Sequence, residues 1–271
     1  MKIDCAFVVR VLCEFIRQEL GKAGFKKGLL GLSGGLDSSV CAALAAKALG
    51  PKNVLGLILP YGDSFPQEVK DAQSLARRLG IRFLLLDIAP MVDAYFRIAP
   101  TQNRTQRGNK MARERMSILY DFSVRERALI LGTSNKTELL VGYGTLHGDL
   151  ACAVNPLGDL YKTQVRRLAA HLRLPGRIRN KKPTAGLWPG QTDEGEIGFS
   201  YEELDEILHR LVDLRQSPAE VAATHGFERK KVERIVNLIK NSEFKRHLPP
   251  IAKISNRTIG HDFLYPYDWG K

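Results

Sequence analysis

The sequence predicts an α/β protein: a parallel sheet wound with helices on both faces, and a helical C-terminal part packed onto it. Three observations predict this. Short apolar runs alternate strictly with helix-patterned segments as far as residue 140, as parallel strands joined by crossover helices require. Beyond residue 160 strand signals stop and helical patterns remain. A Gly/Ser cluster closes the first apolar run, where a parallel sheet places its ligands. The 271 residues, 44% hydrophobic and 26% charged, form a globular chain long enough to bury a large core.

Residues 3–20 carry apolar side chains at helical spacing (Phe7, Val8, Val11, Leu12, Phe15, Ile16), with Gly21 as a stop. Residues 28–32 are a short apolar run, read as a buried strand, and 37–49 an Ala-rich helix ending before Gly50-Pro51. Residues 54–59 form a second buried strand, 66–79 a helix with Gly80 behind it, and 81–88 a third strand. A long helix over 103–127 leads to a fourth strand at 128–131 and a short helix around 137–140. Later helices are expected at 161–172, 201–214, 218–224 and 228–242, with a Gly/Pro-rich loop over 183–198.

Lys and Arg outnumber Asp and Glu 41 to 29, a net charge of +12. The chain should therefore attract anions, and on charge alone RNA and a polyanionic small ligand both stay open. Residues 160–182 hold eight Lys/Arg and no acid, whereas 193–206 are strongly acidic. Four scattered cysteines (Cys5, Cys13, Cys41, Cys152) form no CxxC pair, which argues against a disulfide framework or a zinc ribbon and for reduced thiols in the cytoplasm. The six histidines show no metal-binding spacing. No run reaches the ~18 apolar residues of a membrane span, and Asp4, Arg10 and Glu14 break the first apolar stretch, so neither membrane nor secretory signal is expected.

The most informative stretch is Gly31-Leu32-Ser33-Gly34-Gly35-Leu36-Asp37-Ser38-Ser39. Small residues let backbone N–H groups approach a ligand, and the helix that follows adds its positive end, so the turn is built to cradle phosphate. The G-x-G-x-x-G spacing of a dinucleotide fold is missing, and a Walker A loop would carry lysine where Asp37 stands. An acid among phosphates makes sense with a cation, which implies magnesium. The elbow G-x-S-x-G also fits residues 31–35, but its serine follows several strands, and only one precedes Ser33. A structural turn with no ligand is the remaining reading.

Ser33-Gly34-Gly35-Leu36-Asp37-Ser38 resembles the SGGxDS pyrophosphate loop of the ATP pyrophosphatase superfamily. Later segments narrow the resemblance to NAD synthetases. Gly108-Asn109-Lys110-Met111-Ala112-Arg113-Glu114-Arg115-Met116 is similar to their GNxxARxRM helix, and Gly132-Thr133 with Glu138 to their GTxxxxE segment. Asn155-Pro156 through Lys162-Thr163, Pro183-Thr184-Ala185 with Gln191-Thr192-Asp193-Glu194, and Glu243 to Arg246 match further elements in order. The resemblance implies a Rossmann-like sheet of the adenine nucleotide alpha hydrolase type, in one synthetase domain. That domain would hold a nucleotide-binding core over residues 1–160, a helical part over 161–250 and a tail over 251–271.

It also implies the reaction: deamido-NAD is activated by ATP as an adenylate, pyrophosphate leaves, and ammonia displaces AMP to give NAD. ATP would lie on Gly31, Leu32, Ser33, Gly34, Gly35, Leu36, Asp37, Ser38, Thr133, Lys162 and Thr184. Asp37 and Lys162 would serve catalysis, Asp37 and Glu138 would hold Mg2+, and Arg113, Asp149 and Lys245 would bind deamido-NAD. The chemistry suits the residue types: carboxylates hold a cation that screens pyrophosphate, Lys162 is a point charge for phosphate, and Arg113 suits a dinucleotide anion. Each also has a plainer reading: Glu138 as a helix-dipole partner, Lys162 as a solvated charge, Arg113 as the partner of a nearby acid. Leu146, Ala153 and Phe244 stand where many ammonia-dependent members carry Lys, Asp and His, so Asp149 is the substitute candidate on the nicotinate side. Free ammonia, or a separate glutaminase partner, is the implied nitrogen source. A homodimer is implied too, with the apolar set Met111, Ile118, Leu119 and Phe122 facing either a partner or the chain's own sheet. The alternatives are a tRNA-modifying ATP pyrophosphatase, which the charge suits but which lacks paired cysteines here, and a nucleotide-binding protein without turnover. Nucleic acid is otherwise not expected as a partner.

Overall fold

The computed structural model describes residues 2–188 and 190–264. Its sheet has four parallel strands, β1 (Lys27–Gly31), β2 (Val54–Ile58), β3 (Arg82–Leu85) and β4 (Ala128–Ile130), in the order β3-β2-β1-β4. β1 is central, with Leu29 in register with Leu55 on one side and Ile130 on the other. Successive side chains of a strand point to opposite faces, so the adjacent, fully buried Leu29 and Leu30 enter different cores.

One face of the sheet is covered by α1 (Cys5–Lys22), the Ala-rich α2 (Leu36–Leu49) and α3 (Pro66–Leu79). They are joined there by α7 (Lys162–His171) and α8 (Gly176–Arg179). The other face takes α4 (Ala89–Ile98) and α5 (Arg104–Glu126). A third core lies in the C-terminal part. It joins α6 (Lys136–Val141), α9 (Asp193–Ile197), α10 (Tyr201–Leu208), α11 (Pro218–His225) and α12 (Arg229–Asn241) around the buried Tyr161 and Tyr201. The doubly wound sheet with its helical C-terminal part is the architecture the sequence predicts.

Several elements differ from the sequence reading. Helix α1 runs past Gly21 to Lys22 and buries Val9, Cys13, Ile16 and Leu20, leaving Phe7, Val11 and Phe15 exposed. The apolar run 81–88 narrows to the four residues of β3, because this is the sheet edge: Leu84 and Leu85 are 38% and 47% exposed, and the buried Ile81 and Ile88 flank the strand. Helix α4 had no counterpart; its start is marked by Asp87, whose carboxylate accepts from Ala89 N, and by Pro90 in its first turn. The expected helix 201–214 changes to a π-helical turn over His209–Asp213, and the expected loop 183–198 contains α9. Met111, Ile118, Leu119 and Phe122 of α5 pack into the chain's own sheet-side core. The four cysteines are free thiols. No helix among the described residues is long and apolar enough to cross a membrane. The end of the expected tail, residues 265–271, and Pro189 of the expected loop lie outside the described residues.

Candidate active site

A cavity of about 540 Å³ opens at the carboxyl ends of the strands. Its floor is the turn between β1 and α2. Gly34 holds φ +77, and a Cβ there would stand 2.3 Å from the Glu68 carbonyl oxygen, so α3 packs directly behind the loop and only glycine fits. Ser33 and Ser38 hydroxyls lie 2.9 Å apart, and the Ser39 hydroxyl donates to the Gly35 carbonyl at 2.6 Å. Gly35 caps α2 with no side chain of its own, which leaves the helix's first N–H groups to an anion. Gly31, Leu32, Ser33, Gly35, Leu36, Asp37 and Ser38 line the cavity; Gly34 shapes the loop from outside that lining.

Three chain segments meet above this loop. Lys162 Nζ lies 2.5 Å from Asp37 Oδ2 and 3.1 Å from Glu138 Oε1, with its side chain 4% exposed. Asn135 Nδ2 donates to the other Asp37 oxygen at 3.0 Å and shares a capping box with Glu138 at the start of α6. Glu138 is therefore more than a dipole partner, and Lys162 is not a solvated charge. The ammonium also sits 5.0 Å over the Tyr201 ring. Burial, helped by the charges of Asp37 and Asp193, pushes the Glu138 carboxyl above the ordinary range against the pull of Lys162. Burial disfavours the Lys162 ammonium too, but Asp37 and Glu138 more than compensate and hold its pKa above the ordinary lysine value.

A further layer fixes this lysine. The fully buried Asp205 accepts from the Thr137 hydroxyl at 2.5 Å and from Thr163 N at 2.8 Å, while Lys162 N donates to the Thr137 hydroxyl at 3.0 Å. Asp193 accepts from the Tyr143 and Tyr201 hydroxyls, both at 3.0 Å. Of these residues, Asp205, Tyr143 and Tyr201 were not singled out in the sequence.

Thr133 and Thr184 line the same cavity, as do Asp149 and Lys245. Asp149 Oδ1 accepts from Thr145 N at 2.8 Å, and burial raises its pKa. Lys245 Nζ donates to the carbonyls of Gly142 and Gly144 at 2.7 and 2.8 Å, which ties the turn after α12 to the wall around Tyr143. Arg113 lies outside the lining, with Nε on the Leu146 carbonyl at 3.2 Å. Its neighbour Arg115 is in the lining, with Nε on the Leu59 carbonyl at 2.9 Å and a pKa that burial lowers to about 10. Phe244 is exposed. Among the described residues no group of three or more His, Cys, Asp or Glu is arranged to hold a metal ion.

The family model of the NAD synthases matches residues 8–249. The NH3-dependent NAD+ synthetase of Trichlorobacter lovleyi is 52% identical over 271 residues, covering 100% of this chain and 99% of the relative. The enzyme of that name from Chlorobaculum tepidum is 46% identical over 269 residues, covering 99% and 97%. Among solved structures, the NMN synthetase of Francisella tularensis superposes with a TM-score of 0.82 at 32% identity, over 93% of this chain and 99% of that one. The NH3-dependent NAD synthetase of Campylobacter jejuni gives 0.81 at 32%, over 93% and 100%.

Proposed function

Because this chain belongs to the NAD synthase family, we propose that it amidates deamido-NAD to NAD with ATP and ammonia. The nicotinate carboxylate oxygen attacks the α-phosphorus of ATP. The bond to the bridging oxygen breaks, and its electron pair leaves with pyrophosphate. Ammonia then attacks the carbonyl carbon of the adenylate, a proton is lost from its nitrogen, and AMP departs. The observation that carries this reading is the joining of the phosphate loop to Lys162, Asp37 and Glu138 at one cavity. Net charge is what favours the tRNA-modifying reading, and no observation favours the non-catalytic one.

Loop N–H groups and the N-terminus of α2 take the polyphosphate, Lys162 meets it as a compact charge, and Thr133 and Thr184 offer hydroxyls from the walls. Asp37 and Glu138 fit a magnesium ion, which takes one or two carboxylates together with phosphate oxygens; here two buried acids share a single ammonium, with Asp193 close enough to raise the Glu138 pKa. Magnesium bound there would screen the charge that gathers on pyrophosphate. Asp149 and Lys245 are assigned to the dinucleotide side, together with Arg113 at the edge. We read the whole chain as one synthetase unit, and its free thiols suit the reducing cytoplasm.

Ammonium, and not glutamine, is expected to support NAD formation by the purified chain, since the match runs nearly the full length of relatives named NH3-dependent. A coupled NAD assay with each nitrogen source checks this, and glutamine-driven turnover without an added glutaminase would refute it. Pyrophosphate release with nicotinate mononucleotide in place of deamido-NAD tests the mononucleotide against the dinucleotide, a comparison prompted by the relative named NMN synthetase. A homodimer is also expected. With the sequence-predicted set of α5 turned inward, the exposed Tyr120 and Val124 of α5 and Met91, Tyr95 and Ile98 of α4 are the face for a second copy. Such an obligate interface buries about 2,000 Å² or more. A monomer by light scattering at micromolar concentration, still active, would sink this.

A further inference from the structure

We propose that Lys181 is a second cation for the leaving pyrophosphate, and that the buried carboxylate of Asp71 is the positioning residue that holds it at the phosphate loop. This rests on the reaction assigned above and adds a residue pair to it. Lys181 lines the cavity. Its Nζ lies 2.7 Å from Asp71 Oδ2 and 3.3 Å from the carbonyl oxygen of Gly34, inside the loop itself.

Asp71 sits on α3 and is 1% exposed. It stands one helical turn on from Glu68, whose backbone packs against Gly34 with no room for a methyl group. A buried negative charge directly behind a phosphate loop repels the ligand unless a cation covers it. Arg177 Nε lies 3.0 Å from Asp71 Oδ1, and Gln67 donates to the same oxygen at 3.1 Å. Lys181 takes the other oxygen, on the loop side. Burial alone would raise the Asp71 pKa, but these hydrogen bonds and charges hold it below the ordinary range, so the carboxylate stays ionised and keeps its grip.

An ammonium has three N–H donors. Asp71 engages one at short range. The remaining contacts of Lys181 are weak, a carbonyl at 3.3 Å and the Glu68 carboxylate at 3.6 Å, and a phosphate oxygen outcompetes both through a charge-assisted bond. Lys181 thus turns about Asp71 onto the β- and γ-phosphates, and its charge opposes the charge gained by pyrophosphate as the bridging bond breaks.

Calorimetric titration with inorganic pyrophosphate and with ATP, alongside steady-state kinetics, tests this. Lys181→Ala is expected to weaken both ligands and raise the KM for ATP by about tenfold or more, while the KM for deamido-NAD holds; the melting temperature falls but the chain stays folded, because Arg177 and Gln67 still hold the other Asp71 oxygen. Lys181→Arg should recover most of the loss. Asp71→Asn should shift the same quantities in the same direction by less, and adding Lys181→Ala to it should give no more than Lys181→Ala alone, because the two act as one unit. Unchanged pyrophosphate affinity and KM for ATP in Lys181→Ala, or additive effects in the double variant, would overturn the proposal. If the wild-type chain binds ATP and pyrophosphate but forms no NAD, the assigned reaction falls, and the Lys181 role is decided by the two binding affinities alone.

Discussion

Asp37→Ala is expected to abolish pyrophosphate release while leaving the fold intact. The carboxylate has three tasks in one place: it binds Lys162 at 2.5 Å, accepts from Asn135 at 3.0 Å, and stands in the first turn of α2 at the mouth of the phosphate loop. Under the proposed mechanism, losing it frees the ammonium assigned to the polyphosphate and removes one of the two carboxylates assigned to magnesium. Several kcal/mol of transition-state stabilisation go with it, which is about 10³ in rate. The fold survives because α2 is held by its other residues, with Val40, Cys41, Ala42, Leu44 and Ala45 wholly buried, and because Glu138 still partners Lys162. Glu138→Gln should behave similarly in turnover. A pyrophosphate-release assay paired with thermal melts decides it: near-normal turnover by a folded Asp37→Ala chain would remove this residue from the mechanism.

Which parts of this site a sequence displays follows from how local each part is. The phosphate loop is legible because β1, the turn and α2 are contiguous, and each letter has a local consequence: Gly34 for the left-handed backbone, Gly35 for the open helix start. The Asp37–Lys162 pair joins positions 125 residues apart, and no pattern of spacing reveals it; resemblance to a family supplied those residues, not their mutual distance. Asp205 and Tyr201 looked like members of an acidic, amphipathic helix, yet they anchor Lys162 from behind. Arg115 was within reach. On α5 the buried positions are Gly108, Met111, Ala112, Met116 and Leu119, and residue 115 is four from both 111 and 119, so helical periodicity places it on the inward face and Arg113 off it. Helix α1 shows the reverse difficulty. Apolar residues surround most of it, so periodicity alone could not choose between the face of Phe7, Val11 and Phe15 and the face of Val9, Cys13, Ile16 and Leu20, which the sheet-side core takes.

Lys162→Met is expected to cost both activity and stability, and the stability loss should depend on pH. Turnover should fall by about 10²–10³, the usual effect of removing one preorganised donor to developing charge. For stability, the ammonium is, among the described residues, the single cation within salt-bridge distance of both Asp37 and Glu138, whose side chains are only 15% and 14% exposed. Breaking a buried pair by deleting one partner leaves uncompensated charge, at a cost of about 3–5 kcal/mol. The share of that cost that belongs to Glu138 exists only while its carboxyl is ionised. In the wild-type chain burial already raises the Glu138 pKa in spite of Lys162. Between its unfolded value, about 4.3, and that raised value, the native state binds more protons than the unfolded state, so this group removes stability as pH climbs through the window. Without Lys162 the native pKa rises further and the window extends to more alkaline pH. The melting-temperature gap between variant and wild type should therefore widen from pH 5 toward pH 8, and Lys162→Met combined with Glu138→Gln should close much of it by removing one of the stranded charges. Melts across that range, with circular dichroism to confirm the fold, measure this directly. A gap that does not change with pH, or turnover within a few-fold of wild type, would show that Lys162 is neither the counter-ion of the two acids nor the charge that meets the phosphates.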